Sequence, residues 1–566
     1  MLKVLTSGER IIYQIYPKSW QDSNHDGIGD LNGITSRLDY LRELGINTLW
    51  LNPIFVSPQV DNGYDVENYF MVDPSLGTMA DFENLVQEVH ARGMEIILDF
   101  VMNHTSDQHP WFKDAISDPH SLYRDYYLWQ PAPPEGQLPN NWASFFGGSV
   151  WEKDPGGSDE YYFHLFAKEM PDLNWKNQEV RRAMSEIGQF WLERGVDGFR
   201  LDAFIHTAKA NFDQNVFTAE PEQLELAEEY YANLPQAKEY LEEFIASLRA
   251  IKPDLFILGE AASADLDLAA SYTDPHRTLC DSVVTFRYFA DDPDQEFDPQ
   301  LPRFGQPHQL DLRQFRQTMV HWQTVLQDWS YPTLYWSNHD LPRILDKFVG
   351  VLPEQQPALA KMLAALMYLQ RGIPCIYYGE ELGMTAGKLA DPAEFGEQEV
   401  EEFLQAGLKL GDAQADLLQS LSSSHKMGAR TVMQWSDGVN AGFSEQTPWL
   451  KAQPTPANVL LERKDPDSVL NFYRQVLALK KQPLFVQGSI TFDLRDPELY
   501  VYTRKLGKQT AIVYCNLSAA TQQIDLPAAA VQGRVQLKNQ AQIDAKHRKL
   551  TLKAYGTLVL ETTIVG

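Results

Sequence analysis

Four segments of this chain repeat one punctuation: an amphipathic helix, a glycine, then a short apolar run. They read YLRELG-INTLWLNP, EVHARG-MEIILDFVMNH, FWLERG-VDGFRLDAF and MYLQRG-IPCIYYGEE. Gly45, Gly93, Gly195 and Gly372 suit the left-handed residue that closes a helix. Thr78 is placed to cap a helix carrying Phe82, Leu85, Val86 and Val89, and Val180, Ala183, Met184, Ile187 and Trp191 share one face of the next. Apolar strand candidates fall at 11–17, 47–53, 95–100, 196–202, 255–260, 282–288, 333–338 and 375–381, mostly separated by helical patterns. Such alternation implies a parallel sheet, and eight units closing on themselves imply an α/β fold of the TIM (β/α)8 type. An open doubly wound sheet is the alternative.

Two stretches break the alternation. The connection between DFVMNH and the helix near 178 is rich in Trp, Pro, Gly and Asn, and reads as a subdomain inserted after strand 3. Beyond the helical pattern at 467–481, ELYVYTRKLGKQTAIVYCNLS and RKLTLKAYGTLVLETTIVG read as antiparallel strands with glycine turns, a β-sandwich-like domain. The expected division is a barrel over 1–104 and 176–484, a subdomain over 105–175 and a C-terminal β domain over 485–566.

Net charge excludes some partners. At −29 the chain would be repelled by nucleic acid and by an anionic membrane surface, whereas a neutral substrate meets neither barrier. Cys280, Cys375 and Cys515 are odd in number and far apart, which argues for buried free thiols rather than disulfides or zinc. The first residues show no secretory signal and no apolar run is long enough to span a bilayer, so a cytoplasmic location is expected. Nothing in the sequence reads out an oligomeric state.

Charged residues gather where the strands end, the rim on which a barrel carries its chemistry. In DGFRLDAF (197–204), the two-residue period puts Arg200 and Asp202 on one strand face. Burying that pair costs desolvation, so a structural ion pair is the plain reading of it alone. Glu260 after strand 5 and Asp340 after strand 7 change the balance, together with His104 and His339. Two carboxyls flanking a glycosidic bond are what its hydrolysis needs, one ionised and one protonated. Arg200 would hold Asp202 ionised, while the LFIL and AA neighbours of Glu260 form an apolar setting that would keep its proton on.

The motifs DFVMNH (99–104), GFRLDAF (198–204), LGEA (258–261) and SNHD (337–340) occur in order and at barrel spacing. With QIYPKSWQDSNHDGIGDLNGI, DNGYDVENY, MPDLNW, GEELGM and ARTVMQW, they make the chain resemble the α-amylase superfamily of glycoside hydrolases, within its oligo-1,6-glucosidase/α-glucosidase group. The resemblance implies Asp202 as nucleophile, Glu260 as acid/base and Asp340 as the acid that grips the sugar and stabilises the transition state. It implies that His104 and His339 bind hydroxyls of the first glucose, that Tyr64 is its stacking platform, and that Asp61 and Arg430 hold the non-reducing end. A chain-end (exo) action with retention of configuration follows, on small oligosaccharides or disaccharides. Family members that cleave α-1,6 bonds usually carry Val after the nucleophile; Ala203 here favours α-1,4 substrates such as maltose and maltodextrins. Val432 stands where the family commonly has Pro, which would loosen the loop bearing Arg430.

Oligo-1,6-glucosidase, trehalose-6-phosphate hydrolase and transglucosylase are the rival activities. Non-catalytic transporter-associated relatives are the rival outside the enzymes, but those have lost the catalytic acids that this chain keeps.

DSNHDGIGD (22–30) contains G-x-G, yet its aspartates would repel phosphate. Asp22, Asn24, Asp26 and Asp30 instead occupy positions 1, 3, 5 and 9 of a calcium loop, with the Ile28 carbonyl at 7 and Gly27 at the turn. Gly33 replaces the usual Glu at position 12, so this is not an EF-hand. Similar family members bind Ca²⁺ or Mg²⁺ in this loop, and a structural ion is the expectation; the alternative is a solvated turn without metal. No organic cofactor is expected.

Overall fold

The computed structural model describes residues 5–563 apart from 135–136, 219–222, 278, 397, 452–454 and 456. Eight parallel strands form one sheet: β1 (Ile12–Ile15), β2 (Thr48–Leu51), β3 (Glu95–Val101), β4 (Gly198–Asp202), β5 (Phe256–Glu260), β6 (Ser282–Val284), β7 (Thr333–Leu334) and β8 (Ile373–Tyr377). Their order is β6-β5-β4-β3-β2-β1-β8-β7, a nearly closed barrel in chain order, as the helix–glycine–strand punctuation implies. Gly45 does close its helix in the left-handed region, at φ 105°.

Several strands stop earlier than their apolar runs. β6 ends where the Thr285 hydroxyl turns to the Ala264 carbonyl, and Phe286–Tyr288 continues as a 3-10 turn. β7 gives way to a turn in which Asn338 Oδ1 accepts from the amides of Asp340 and Leu341. These early stops free the rim residues from the ladder and let their side chains be aimed.

The chain divides into two compact units. One comprises Trp50–His90 and Glu95–Arg287. In it, Gln178–Leu192 buries Val180, Met184, Ile187 and Trp191, the face expected from the sequence. Asn177 caps that helix, and Gly188 lets Leu248 of the Pro235–Arg249 helix approach to 2.8 Å from where a Cβ would stand. Fully burying Trp191 makes its loss to alanine worth about 3–5 kcal/mol. Within 105–175 lie the helix Pro110–Ser117 and a three-stranded antiparallel sheet, packed on Trp142, Val150, Trp151 and Phe163.

The other unit comprises Met1–Leu49, Ala91–Met94 and Tyr288–Gly566. Its helix Gln356–Tyr368 is apolar on every side and is buried from Ala358 to Tyr368 except at Lys361. The sequence reading missed two helices here, Gln398–Leu410 and Gln414–Ser424, which share a small core around Phe403, Leu404, Leu417 and Leu421. The C-terminal strands are antiparallel, as expected: β9 (Ser489–Asp493), β10 (Leu499–Leu506), β11 (Gln509–Asn516), β12 (Gln522–Asp525), β13 (Arg534–Asp544) and β14 (Lys549–Thr563). β14 ties them together, pairing β11 along one half of one edge, β12 along the other half, and β13 on its far edge. Cys280, Cys375 and Cys515 are buried free thiols. Among the described residues no helix is long and apolar enough to cross a membrane.

Candidate active site

The register of β3 beside β4 sets Asp99 against Arg200 and Val101 against Asp202. Arg200, 2% exposed, becomes the centre of a carboxylate cluster. Its Nη1 lies 2.6 Å from Asp99 Oδ1 and 2.5 Å from Asp202 Oδ1, while Nη2 lies 2.8 Å from Glu260 Oε1. Burial works against the guanidinium charge, but Asp99, Glu260, Tyr64 and Asp202 outweigh it and hold the group protonated far above its usual range. Arg200 and Asp202 therefore share a face, as the two-residue period requires.

The apolar niche expected around Glu260 is not what the structure contains. Glu260 touches the same guanidinium as Asp202, and its Oε2 accepts from the Ala203 amide at 3.1 Å. Leu258 and Ile257 are buried as expected, yet Leu258 stands in register with Arg200 on β4, and that cross-strand neighbour sets the polarity near Glu260. Three carboxyls around one cation would leave the cluster anionic if all were ionised, so mutual repulsion favours a proton held somewhere among them, and burial pushes the Asp99 carboxyl up against the pull of Arg200.

Ala203 itself is left-handed at φ 46°, an uncommon conformation for a non-glycine residue. The turn sends the chain into the 3-10 segment Phe204–His206 and brings the Ala203 amide to Glu260.

Asp99 was not among the residues singled out by sequence, and it is the hub of this unit. Its Oδ2 accepts from Tyr64 Oη at 2.9 Å, Trp50 Nε1 at 3.1 Å and Asn52 Nδ2 at 3.3 Å. Tyr64, 5% exposed, is thereby fixed through its hydroxyl. Asp61 opens the turn that leads to it, its carbonyl accepting from the Tyr64 amide and its own amide donating to Asp65.

His104 is buried, and burial pulls its pKa down to about 4 against the pull of Asp172, so the ring is neutral near pH 7. The Asn103 amide faces Nδ1 at 3.3 Å, which puts the proton on Nε2, a buried atom whose ring is also drawn to the Tyr64 backbone. Such a donor suits a sugar hydroxyl. Asn103 is in turn held by Asp172 at 3.0 Å, and Asp172 by Lys209 at 2.7 Å, a buried ion pair that the sequence reading also missed.

In the other unit, His339 and Asp340 follow β7. Gln14 Nε2 donates to His339 Nδ1 at 2.9 Å, leaving the Nε2 proton to face Asp340 Oδ2 at 3.1 Å. Arg430 Nε donates to the His339 carbonyl at 2.8 Å, and its Nη2 lies 3.4 Å from Asp340 Oδ1. Asp340 keeps 30% of its side chain exposed while both neighbours are buried. Val432 is fully buried. Arg343, three residues beyond Asp340, donates to the Tyr378 carbonyl at 2.8 Å and anchors the loop that carries Asp340.

The loop 22–30 has the conformation of alternating Asx turns. Asp22 Oδ1 accepts from the amides of Asn24 and His25, Asp22 Oδ2 from Gly27, Asn24 Oδ1 from Asp26, and Asp26 Oδ1 from Ile28. Gly27, at φ 90°, is needed there because a Cβ would meet the Thr447 carbonyl at 2.3 Å. Asp30 caps the following helix through Gly33 and also binds Ser23. Every candidate donor is oxygen, the ligand type a hard cation takes. Among the described residues no three His, Cys, Asp or Glu side chains are grouped to hold an ion, so Asn24 and the Ile28 carbonyl would have to share the work.

Comparison with known proteins agrees with this architecture. The model of the alpha amylase catalytic domain matches residues 14–488. An oligo-1,6-glucosidase of Halalkalibacterium halodurans is 38% identical over 92% of this chain and 92% of its own. An alpha-glucosidase of Pediococcus pentosaceus is 36% identical over 88% and 89%. A solved structure described as a family GH13_31 enzyme superposes with a TM-score of 0.89 at 48% identity, covering 98% of this chain and 99% of the other. The chain belongs to the alpha-amylase family of glycoside hydrolases, family 13.

Proposed function

We propose that this enzyme is an exo-acting, retaining α-glucosidase that releases α-glucose from the non-reducing end of short α-glucosides, with a preference for α-1,4 links. The observation that carries the reading is the single guanidinium shared by Asp202 and Glu260. Two carboxyls held by one cation suit the close spacing, about 5–5.5 Å, that retaining enzymes use.

In the first step Asp202 attacks the anomeric carbon while Glu260 gives its proton to the departing oxygen. Arg200 keeps the attacking carboxylate anionic. Neutral His104 donates from Nε2 to a hydroxyl of the bound glucose, Tyr64 stacks beneath the ring, and Asp61 meets the non-reducing end. His339, Asp340 and Arg430, joined to one another in the other unit, keep the hydroxyl-binding roles that the resemblance implies. In the second step water attacks the glucosyl ester with Glu260 as base, and two inversions give retention.

Ala203 supports the linkage preference. It leaves more room beside the nucleophile than a valine, a difference worth about 1–3 kcal/mol in discrimination. Its left-handed backbone also disfavours a β-branched side chain there. In loop 22–30 a structural Ca²⁺ would be held by oxygens of Asp22, Asn24, Asp26, Asp30 and the Ile28 carbonyl, once carboxylates that are not grouped round an ion in this structure close on it; it would have no part in the chemistry. Proton NMR of the first product, with kcat/KM on maltose, isomaltose, trehalose 6-phosphate and sucrose, tests the reading. The α-anomer and highest kcat/KM on maltose are expected, with isomaltose gaining on maltose in Ala203→Val. An initial β-anomer overturns the mechanism, and a preference for isomaltose in the parent chain overturns the linkage.

A further inference from the structure

Asn103, two residues past β3, is fully buried, and its side-chain amide would fill the same space turned over. Its neighbours decide which end carries the oxygen. Residues 103–105 lie antiparallel to 171–173: the Leu173 amide donates to the Asn103 carbonyl at 2.9 Å, and the Thr105 amide to the Pro171 carbonyl at 3.2 Å. Asp172 therefore stands opposite His104. Lys209, three residues beyond the Phe204–His206 turn, supplies an ammonium to the same place. Its Nζ lies 2.7 Å from Asp172 Oδ2, donates to Asn103 Oδ1 at 3.0 Å, and donates also to the His206 carbonyl. Three ammonium protons thus meet three acceptors, and neither charged side chain is more than 2% exposed.

An ammonium only donates and a carboxylate only accepts. Asn103 must therefore show its oxygen to Lys209 and its NH2 to Asp172, and Nδ2 does lie 3.0 Å from Asp172 Oδ2. Turned over, the amide would set donor against donor and acceptor against acceptor beside two buried charges, where a mismatch costs most. The same NH2 faces His104 Nδ1 at 3.3 Å. Burial holds the His104 pKa down at about 4, so near pH 7 the ring has one proton to place. Nδ1 must accept, and the proton goes to Nε2. The turned amide would present its oxygen to Nδ1 and draw the proton there.

We infer that the buried Lys209–Asp172 ion pair is a positioning pair, which through Asn103 fixes the tautomer of His104 and so makes Nε2 the donor offered to a substrate hydroxyl. The inference rests on the α-glucosidase reading only for that hydroxyl; the tautomer stands on the hydrogen bonds alone. Neutralising both partners should invert it. Lys209→Met combined with Asp172→Asn leaves no charge unpaired. The Leu165 amide, which donates to Asp172 Oδ1 at 3.0 Å, would hold the oxygen of the substituted side chain and turn its NH2 towards Asn103. Asn103 would then answer with its oxygen, and His104 Nδ1 would take the proton.

The test is a long-range ¹H–¹⁵N correlation spectrum of the full chain at pH 7 with ¹⁵N-labelled histidine, the His104 signals being assigned among the 13 histidines by their loss in His104→Gln. In the parent, Nδ1 should be pyridine-like and Nε2 pyrrole-like; in the double variant the two should exchange. KM for maltose should rise about tenfold in the double variant with kcat within about threefold, since the contact is made in ground and transition states alike. A pyrrole-like Nδ1 in the parent overturns the inference without any variant having to fold. So does an unchanged tautomer in the folded double variant. Exchanged signals with an unchanged KM would uphold the pair's hold on the ring and strike instead the sugar-binding role given to His104.

Discussion

Replacing Glu380 by glutamine should stabilise this enzyme, and more so as the pH rises. Glu380 and Glu381 lie on the 3-10 turn that follows β8, and both are buried. Glu380 Oε1 accepts from the hydroxyls of Tyr368 and Tyr473, while Glu381 Oε1 accepts from Tyr13 at 2.7 Å and Tyr40 at 2.6 Å. Burial nevertheless raises the Glu380 pKa from 4.5 to about 8, the tyrosine hydrogen bonds offsetting only part of it. The unfolded chain therefore loses this proton near pH 4.5, and the folded chain keeps it to about pH 8. Between those values the native state binds more protons, so its stability falls as pH rises, and above about pH 8 the whole cost is present. The raised pKa corresponds to about 5 kcal/mol, each unit being worth about 1.4. Glutamine keeps the acceptor for both tyrosines and has nothing to ionise. Thermal and urea unfolding of Glu380→Gln and the parent at pH 5 and pH 9 is the assay. Near-equal stability is expected at pH 5, and an advantage for the variant of several degrees at pH 9. A difference that does not change with pH would refute the reasoning, because only a proton held by the native state can produce the dependence.

Asp99→Asn removes one negative charge from the Arg200 cluster without touching the substrate. Both limbs of the kcat/KM profile should move to lower pH by about one unit, since the remaining carboxyls lose a repelling neighbour; an unmoved profile would show that Asp99 serves packing alone. Chelation followed by dialysis should lower the melting temperature and added Ca²⁺ should restore it, with a stabilisation of about 2.7 kcal/mol at a hundredfold excess over the dissociation constant. An identical melting temperature with and without chelator would leave loop 22–30 as an Asx-turn array that needs no ion.

Much of this was legible in the chain itself. The strands could be placed because each follows a helix closed by glycine, a local signal. Arg200 and Asp202 could be put on one face because a strand alternates every two residues. Glu260 was misjudged for a non-local reason: its sequence neighbours are apolar, but the side chain that meets it, Arg200, comes from the adjacent strand. Asp99 escaped notice in the same way, since only the register of β3 against β4 sets it opposite Arg200. Lys209 and Asp172 stand thirty-seven positions apart, so no spacing rule pairs them. The turn at Ala203 carries no glycine to announce its left-handed backbone. The helices at 398–424 bury their apolar stripes against each other, and the sequence reading followed only helices that led into strands.

The arginine gripped by three acids also has a temporal meaning. On the proposed mechanism, esterification of a sugar to Asp202 would end that side chain's life as an anion and leave Arg200 with one fewer counterion. Its pull would then fall more heavily on Glu260, which on that mechanism has just surrendered its proton and must stay bare long enough to strip one from water. Cutting the ester would bring the rival anion back and push Glu260 towards its protonated form. A single fixed cation would in this way reset the acid for each turnover, with no part of the backbone needing to move.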